Sequence, residues 1–445
     1  MSTDSLPDPS SQARAAERRL LLLALVIILG LYTLLGWSRS PQVPIGTLVY
    51  GLALGALATV AHLVVRRFAP NADPVFLPAA FLLNGLGLVL VRRVDFAQDT
   101  ELAVAQTTWT VVAVGAFAAT LLLIRQYRRL TRYHYTFGLI TIGLLLLPLV
   151  PFISPGEING AVLWVEIGGM RIQPGEFAKL TMVVFLAGYL EHKRALLSVA
   201  THRIGPLLLP PPRHLGPVLA AAGAALGIMV FQRDLGSSLL FFGVFIVLLY
   251  VATGRLAYPA VGSLAFAVGA FLAYQLFGHV RLRVAIWLDP WSRIDNEGYQ
   301  LAQSLFAMGT GGLTGAGLGL GRPSDIPFAA TDAVFAIIAE ELGLLGATAT
   351  LALFLLIVAR GFKAALTARD EVGTLLAAGL TTIIGLQVFV IVGGLTRLVP
   401  FTGITLPFVS YGGSSLVSNY VLLALLIRIS DDSRSVVATA RRGAS

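Results

Sequence analysis

Long apolar segments separated by short charged or proline-rich breaks make up most of the chain. A helix that crosses a bilayer needs about 20 apolar residues, and about 12 segments approach that length. These predicted spans lie at 20–36, 45–65, 75–91, 105–124, 135–153, 176–190, 215–231, 236–253, 257–278, 331–359, 372–394 and 404–427. The pattern predicts an all-α polytopic membrane protein.

The two polar ends of the chain are predicted to lie on the same side of the membrane, because the number of spans is even. Lysine and arginine are about twice as frequent in the segments on that side, which marks it as cytoplasmic. We therefore expect cytoplasmic tails at 1–19 and 429–445, with one transmembrane domain at 20–428. The first apolar run lacks a cleavage site for a signal peptide, so we expect that helix to be retained.

Composition supports the membrane assignment and narrows the function. Hydrophobic residues make up 56% of the chain and charged residues only 12%, which excludes an ordinary soluble domain. The formal net charge of +9 is better explained by anionic lipid headgroups than by nucleic acid. The chain has no cysteine, so disulfides and thiolate chemistry are excluded.

The longest polar interruption, at about 279–330, is predicted to be a large extracellular loop. Arg281 and Arg283 alternate with apolar residues there, and they could either extend to lipid phosphates or bind a substrate phosphate in bidentate fashion. Asp289 precedes a proline, and Asp295 precedes the string Gly-Tyr-Gln. Either aspartate could be a simple turn or cap residue, but together with the arginines they indicate a binding surface.

Two shorter clusters each allow a structural and a functional interpretation. Glu176 and Lys179 are three residues apart at a predicted helix start, so they could form an internal ion pair or contact substrate. Arg233 and Asp234 lie in a short turn, where they could pair locally or where Arg233 could face an anionic headgroup. The sequence leaves both alternatives open.

Two further clusters lie near the C-terminus. Glu340 and Glu341 fall inside an apolar helix, so at least one is expected to face the protein interior and an arginine partner. Segment 400–415 carries Ser410 and Ser414 among several prolines and glycines, a density that breaks a membrane helix. Non-helical backbone at that depth is tolerated where it is buried or lines a cavity, so this segment is predicted to form a cavity wall.

Common catalytic motifs are absent from the sequence. There is no phosphate-binding loop with its lysine, no HExxH and no GxSxG. Most histidines fall in predicted cytoplasmic loops, so no metal ligands are assigned.

Five strings, in this order along the chain, resemble the SEDS family of bacterial cell-wall polymerases, of the RodA/FtsW type. They are QPGEFAKL, QRDLGSS, GYQLAQS, TDAVFAIIAEELG and PFTGITLPFVSYGGSS. The resemblance covers about 130–428 and implies a ten-helix core, here preceded by an N-terminal pair. It also implies that the protein polymerises lipid II, the undecaprenyl-pyrophosphoryl disaccharide-peptide, with a class B penicillin-binding protein (a transpeptidase) as partner. The essential acidic residue of the family maps best to Asp295, with Asp289 as the fallback. Arg397 departs from the family pattern, since relatives are often uncharged there.

The resemblance leads to specific expectations about mechanism. Asp295 is predicted to be the general base on the acceptor hydroxyl. A divalent cation, Mg²⁺ or Mn²⁺, is left open as a helper at the phosphates. Other residues are predicted to contact the substrate: Lys179, Glu176, Arg233, Arg281, Arg283, Arg322, Ser410 and Ser414. The alternatives are a lipid II flippase and a division-type polymerase of the FtsW kind, whereas several strings favour the elongation type.

Overall fold

The structure is a computed structural model that describes residues 9–38, 46–158, 160–198, 202–204, 207–209, 223, 227 and 232–443. The helices in this part of the chain are α1 (Pro9–Trp37), α2 (Gly46–Phe68), α3 (Phe76–Gln98), α4 (Leu102–Leu123), α5 (Arg128–Thr131), α6 (His134–Leu146), α7 (Gly175–Ser198), α8 (Leu235–Thr253), α9 (Ala257–Leu276), α10 (Gly278–Leu288), α11 (Tyr299–Gly311), α12 (Val334–Leu366), α13 (Glu371–Leu395) and α14 (Gly413–Gly443). Single 3₁₀ turns lie at Leu147–Leu149, Trp291–Arg293 and Pro323–Asp325.

Two short antiparallel hairpins are the only sheets in the described residues. Strands β1 (Val165–Ile167) and β2 (Met170–Ile172) pair with Glu166 opposite Arg171. Gly168 and Gly169 connect them with positive φ angles of 59° and 78°, which a tight two-residue hairpin turn requires. Strands β3 (His202–Ile204) and β4 (Leu207–Leu209) form the second hairpin.

The helices group into two compact units. The first unit comprises 1–127, 306–369 and 406–445, and the second comprises 128–305 and 370–405. In the first unit α3 is the central helix, buried over most of its length, and α1, α4 and α12 pack against it. In the second unit α7 packs against α6, α8 and α13, and α13 also packs against α8.

Helix α12 is interrupted inside the first unit. Gly343 has φ 67° and ψ −169°, which is not helical. The amides that this break leaves without a helical partner donate to the glycine-rich segment, residues 312–321, which follows α11. Leu344 N donates to Gly312 O at 2.9 Å and Leu345 N to Leu313 O at 3.1 Å. In return, Gly317 N donates to Glu341 O at 3.1 Å. The break therefore fastens the glycine-rich segment to α12, as expected for irregular backbone at membrane depth.

The predicted polytopic all-α architecture is confirmed. In the described part of the chain, nine helices are long and apolar enough to cross a membrane. Every predicted span except 215–231 corresponds to a described helix, and 215–231 lies almost wholly outside the described residues. The last predicted span begins later than expected, because residues 404–412 are not helical and α14 starts at Gly413.

The interpretation of 279–330 as a loop is only partly correct. Helix α10 occupies most of its first ten residues and α11 lies in its middle, so the backbone outside α-helices is confined to 289–298 and 312–330. Helices α1 and α14 also extend into the predicted tails. The single transmembrane domain at 20–428 stays a prediction.

Candidate active site

A closed turn at 289–298 connects α10 to α11 in the second unit, and we call it the acidic turn. Its backbone is held by Gly298 N, which donates to Arg293 O at 3.0 Å, and by Asn296 N, which donates to the same oxygen at 3.1 Å. Gly298 leaves no room for a side chain, because a Cβ there would lie 2.6 Å from Pro290 O. The glycine therefore lets the chain fold back tightly just before α11 begins.

The two candidate aspartates have different surroundings in the acidic turn. Asp289 Oδ1 accepts hydrogen bonds from Trp291 N at 3.1 Å and Ser292 N at 3.3 Å, so this carboxylate caps the 3₁₀ turn. Asp295 is exposed, and no group among the described residues hydrogen-bonds or ion-pairs with its carboxylate. Asp295 is thus available for chemistry, whereas Asp289 stabilises the backbone.

A buried polar chain runs from α7 to α13 within the same unit. Lys179 is 2% exposed, and its Nζ lies 2.7 Å from Glu176 Oε2 and donates to Gln387 Oε1 at 3.0 Å. Gln387 Nε2 in turn donates to Thr405 O at 2.8 Å. The internal ion pair, one of the two interpretations of this cluster, is present. A substrate contact for Glu176 and Lys179 stays a prediction.

A small cleft, about 250 Å³ with its open mouth, lies where α7 and α8 begin. Asp234 and Gln173 are among the polar residues that line it. Asp234 caps α8 by accepting from Ser237 N at 2.9 Å. Burial raises the pKa of its carboxyl; the hydrogen bonds from Ser237 and the charge of Arg283 oppose this shift, and Glu176 adds to it. The cleft therefore combines a buried acid with neighbouring charges of both signs.

Arg233 does not pair with Asp234, which corrects the interpretation as a local ion pair. It has a positive φ of 61°, and its guanidinium pairs with Glu157 Oε1 at 2.8 Å. The Arg233 side chain is about half exposed. It can exchange this surface partner for an anionic ligand at small cost, because exposed ion pairs contribute only about 0–1 kcal/mol.

The arginines of α10 differ from one another in exposure. Arg281 is exposed, whereas Arg283 is partly buried and donates from Nη1 to Phe401 O at 2.8 Å. The pKa of His279 on the same helix is lowered, first by desolvation and then by the positive charges of Arg233 and Arg283. Two guanidinium groups thus act on one region near the start of α10, which favours an anion there.

The remaining predicted residues belong to the first unit. Arg322 is exposed, and its backbone N donates to Glu340 Oε1 at 3.0 Å. Ser410 and Ser414 are buried, and Ser410 Oγ donates to Thr331 O and accepts from Leu406 N at 2.9 Å. Ser410 therefore holds the broken segment before α14 in place. Its predicted substrate contact, like those of Arg322 and Ser414, stays a prediction.

A family model and several known proteins match most of this chain. The family model described as the cell cycle protein family FtsW/RodA/SpoVE matches residues 75–435. The chain belongs to this family. Peptidoglycan glycosyltransferase RodA of Mycobacterium tuberculosis is 44% identical over 444 residues, which cover 98% of this chain and 94% of the relative.

More distant members of the FtsW/RodA/SpoVE family match over a shorter length. Stage V sporulation protein E of Bacillus subtilis is 34% identical over 82% of this chain and 98% of its own. Probable peptidoglycan glycosyltransferase FtsW of Geobacter metallireducens is 35% identical over 80% of this chain and 94% of its own. A solved structure on the coordination of polymerisation and crosslinking by a peptidoglycan synthase complex matches with a TM-score of 0.58. Its chain is 29% identical, and the match covers 86% of this chain and 96% of that one.

Sequence reasoning missed one buried residue of this FtsW/RodA/SpoVE chain. Arg93 Nε lies 2.7 Å from Glu341 Oε1, and its Nη2 donates to Gly321 O at 2.7 Å. The expected arginine partner of the Glu340–Glu341 pair is therefore present. It was not identified because the predicted span ended at 91, which placed Arg93 in a loop, although α3 continues to Gln98.

A divalent cation as helper at the phosphates stays a proposal for this chain. No group of three or more histidine, aspartate or glutamate side chains among them could hold a metal ion. A Mg²⁺ or Mn²⁺ ion would need oxygen atoms from the substrate phosphates as additional ligands.

Proposed function

We propose that this chain joins lipid II units into glycan strands on the outer face of the cytoplasmic membrane, with Asp295 as general base. The enzyme is a peptidoglycan glycosyltransferase of the RodA type, since 44% identity to a RodA extends over 98% of the chain. The observation that carries the catalytic assignment is the Asp295 carboxylate, which is exposed at the acidic turn and has no hydrogen-bond or ion-pair partner among the described residues.

The chemistry requires one base and a stabilised leaving group. Asp295 accepts the proton of the acceptor sugar hydroxyl while that oxygen forms a bond to the anomeric carbon of the donor. The bond from this carbon to the lipid pyrophosphate breaks, and undecaprenyl pyrophosphate leaves with the electron pair. A positioned base of this kind contributes about 10²- to 10⁴-fold to the rate.

Cationic side chains are expected to stabilise the departing pyrophosphate. Arg233, Arg281 and Arg283 carry guanidinium groups that suit bidentate phosphate binding. Because the ion pair of Arg233 with Glu157 is exposed, Arg233 is the arginine most easily recruited by substrate. Lys179 is buried and paired with Glu176, so it would hold α7 against α13 beside the site, and its contact with substrate stays a proposal. A divalent cation would add positive charge at the phosphates, and the proton transfer to Asp295 does not depend on it.

We also propose a class B penicillin-binding protein as the partner that crosslinks the strands. The solved synthase complex supports this proposal, because its description joins polymerisation with crosslinking. Cytoplasmic placement of both termini rests on the excess of lysine and arginine in the segments on that side.

Purified protein in proteoliposomes tests the function. Lipid II supplied alone is expected to yield a ladder of glycan products on a gel. Headgroup movement across the bilayer without a ladder would instead identify a flippase. Protein that forms neither product, while a RodA relative does so under the same conditions, would contradict the proposed activity.

A second test uses the close packing of the acidic turn. Gly298→Ala places a Cβ 2.6 Å from Pro290 O and 2.9 Å from Arg293 O, so the backbone must shift. Because a displacement of about 1 Å in a catalytic group costs up to about 10²-fold, we expect the initial polymerisation rate to fall at least tenfold. Gly309→Ala on α11 is the control, since its Cβ meets no atom within 4 Å. Equal rates for the two variants would contradict this role of the turn.

A further inference from the structure

Arg397 occupies a backbone position that normally favours glycine. Helix α13 ends at Leu395, and two residues later Arg397 has a positive φ of 61°. Leu398 N donates to Gly393 O at 2.7 Å, which closes the helix end in the manner of a left-handed C-cap. A side chain at positive φ costs free energy, and such strain persists where surrounding contacts hold the residue in place.

The Arg397 side chain makes contacts of that kind. Its Nε donates to Trp287 O at 3.1 Å and its Nη2 to Leu288 O at 2.7 Å. These are carbonyls of the last two residues of α10, which have no partner inside their own helix. A positive charge is also favourable at a helix C-terminus. In return, Trp287 Nε1 donates to Arg397 O at 2.9 Å, so the two residues hold each other.

The residues of α10 that bond to Arg397 lie directly before the acidic turn. Asp289 follows Leu288 directly, and its N donates to Ala285 O at 2.9 Å. Its carboxylate then caps the 3₁₀ turn, and Gly298 closes the loop onto Arg293. Because no described group holds the Asp295 carboxylate, its location depends on this backbone and on the anchored end of α10.

We propose that Arg397 and Trp287 are positioning residues, which fix the end of α10 and thereby place the acidic turn for catalysis. The inference rests on the proposed role of Asp295. Arg283, one turn earlier on α10, makes a second hydrogen bond to the segment that follows α13, because its Nη1 donates to Phe401 O.

Arg397→Gly separates positioning from folding. Glycine is the residue best suited to positive φ, so the variant relieves backbone strain while it removes all guanidinium bonds. We expect normal yield and monodispersity, an unchanged KM for lipid II within twofold, and a kcat about 10- to 100-fold lower. Arg397→Lys should recover part of the rate, because one ammonium group can still donate to the terminal carbonyls. Trp287→Phe should lower kcat in the same way but less, since it removes one bond.

Two controls match these changes. Asp99→Gly also replaces a residue at positive φ, 54°, after a helix end. Arg171→Ala removes an exposed arginine from the β1–β2 hairpin. Both are expected to retain wild-type kcat.

Hydrogen–deuterium exchange of peptides covering 286–298 distinguishes this inference from the proposed function. The inference predicts faster exchange there in Arg397→Gly but not in the controls. Unchanged exchange would overturn it, whatever the activity. Faster exchange with wild-type kcat would confirm that Arg397 anchors the turn but overturn its effect on catalysis, whereas the role of Asp295 is tested separately by Asp295→Asn. Arg397→Gly could also lose kcat because the protein aggregates. If Arg397→Lys restored neither kcat nor monodispersity, Arg397 would serve folding alone, and the inference would be overturned.

Discussion

Asp295→Asn is expected to lower the polymerisation rate by about 10²- to 10⁴-fold, because an amide cannot accept the proton of the acceptor hydroxyl. The two side chains have nearly the same shape, so expression, detergent extraction and the KM for lipid II should stay close to wild type. The measurement is the initial rate of glycan formation over a range of lipid II concentrations.

Asp289→Asn is the matched control for this prediction. It removes the same charge from the same turn, but an amide oxygen can still accept from Trp291 N and Ser292 N. We therefore expect an activity within a few-fold of wild type. The catalytic assignment would move to Asp289 if this variant were inactive and Asp295→Asn retained its rate.

The second large effect is expected on stability, from Arg93→Ala. Arg93 and Glu341 form an ion pair whose side chains are 7% and 0% exposed. Removing the arginine leaves a buried carboxylate without its counter-charge, which typically costs about 3–5 kcal/mol. It also removes the bond to Gly321 O, so the glycine-rich segment loses part of its attachment to α3. Denaturant unfolding in detergent micelles, followed by tryptophan fluorescence, measures this loss.

The neighbouring residue provides the comparison. The Arg92 side chain is 36% exposed, and its Nη1 lies 3.9 Å from Asp95 Oδ2. Arg92→Ala should therefore lower the free energy of unfolding by less than about 1 kcal/mol. Adding Glu341→Gln to Arg93→Ala should restore part of the loss, because the uncompensated charge is then removed. Equal losses for Arg92→Ala and Arg93→Ala would show that the buried pair is not the cause.

The hydrophobic pattern predicted the membrane helices well, because crossing a bilayer demands long apolar runs. It could not predict α10, whose sequence GHVRLRVAIWL mixes arginines with apolar residues and is too short to span. Nor could it predict the break at Gly343, since α12 is apolar on both sides of that residue. The break depends on hydrogen bonds to the glycine-rich segment, which is distant in sequence.

The candidate site was predicted less completely. Both aspartates of the acidic turn were identified from the sequence, but the choice between them depends on which carboxylate caps backbone amides. That is a property of the folded turn, which residue types alone do not specify. The ion pair of Glu176 and Lys179 was one of two alternatives that helical spacing allowed, whereas its continuation to Gln387 required the packing of α7 on α13. The anchoring role of Arg397 also needed the fold, because Trp287 is 110 residues away.

This chain alone is expected to polymerise lipid II and to use Asp295 to do so. The most direct test of this proposal is a gel of glycan products from purified wild type, Asp289→Asn and Asp295→Asn, each given lipid II and no other polymerase. The proposal predicts ladders from wild type and Asp289→Asn and none from Asp295→Asn. A ladder of wild-type intensity from Asp295→Asn, formed at the same rate, would contradict it.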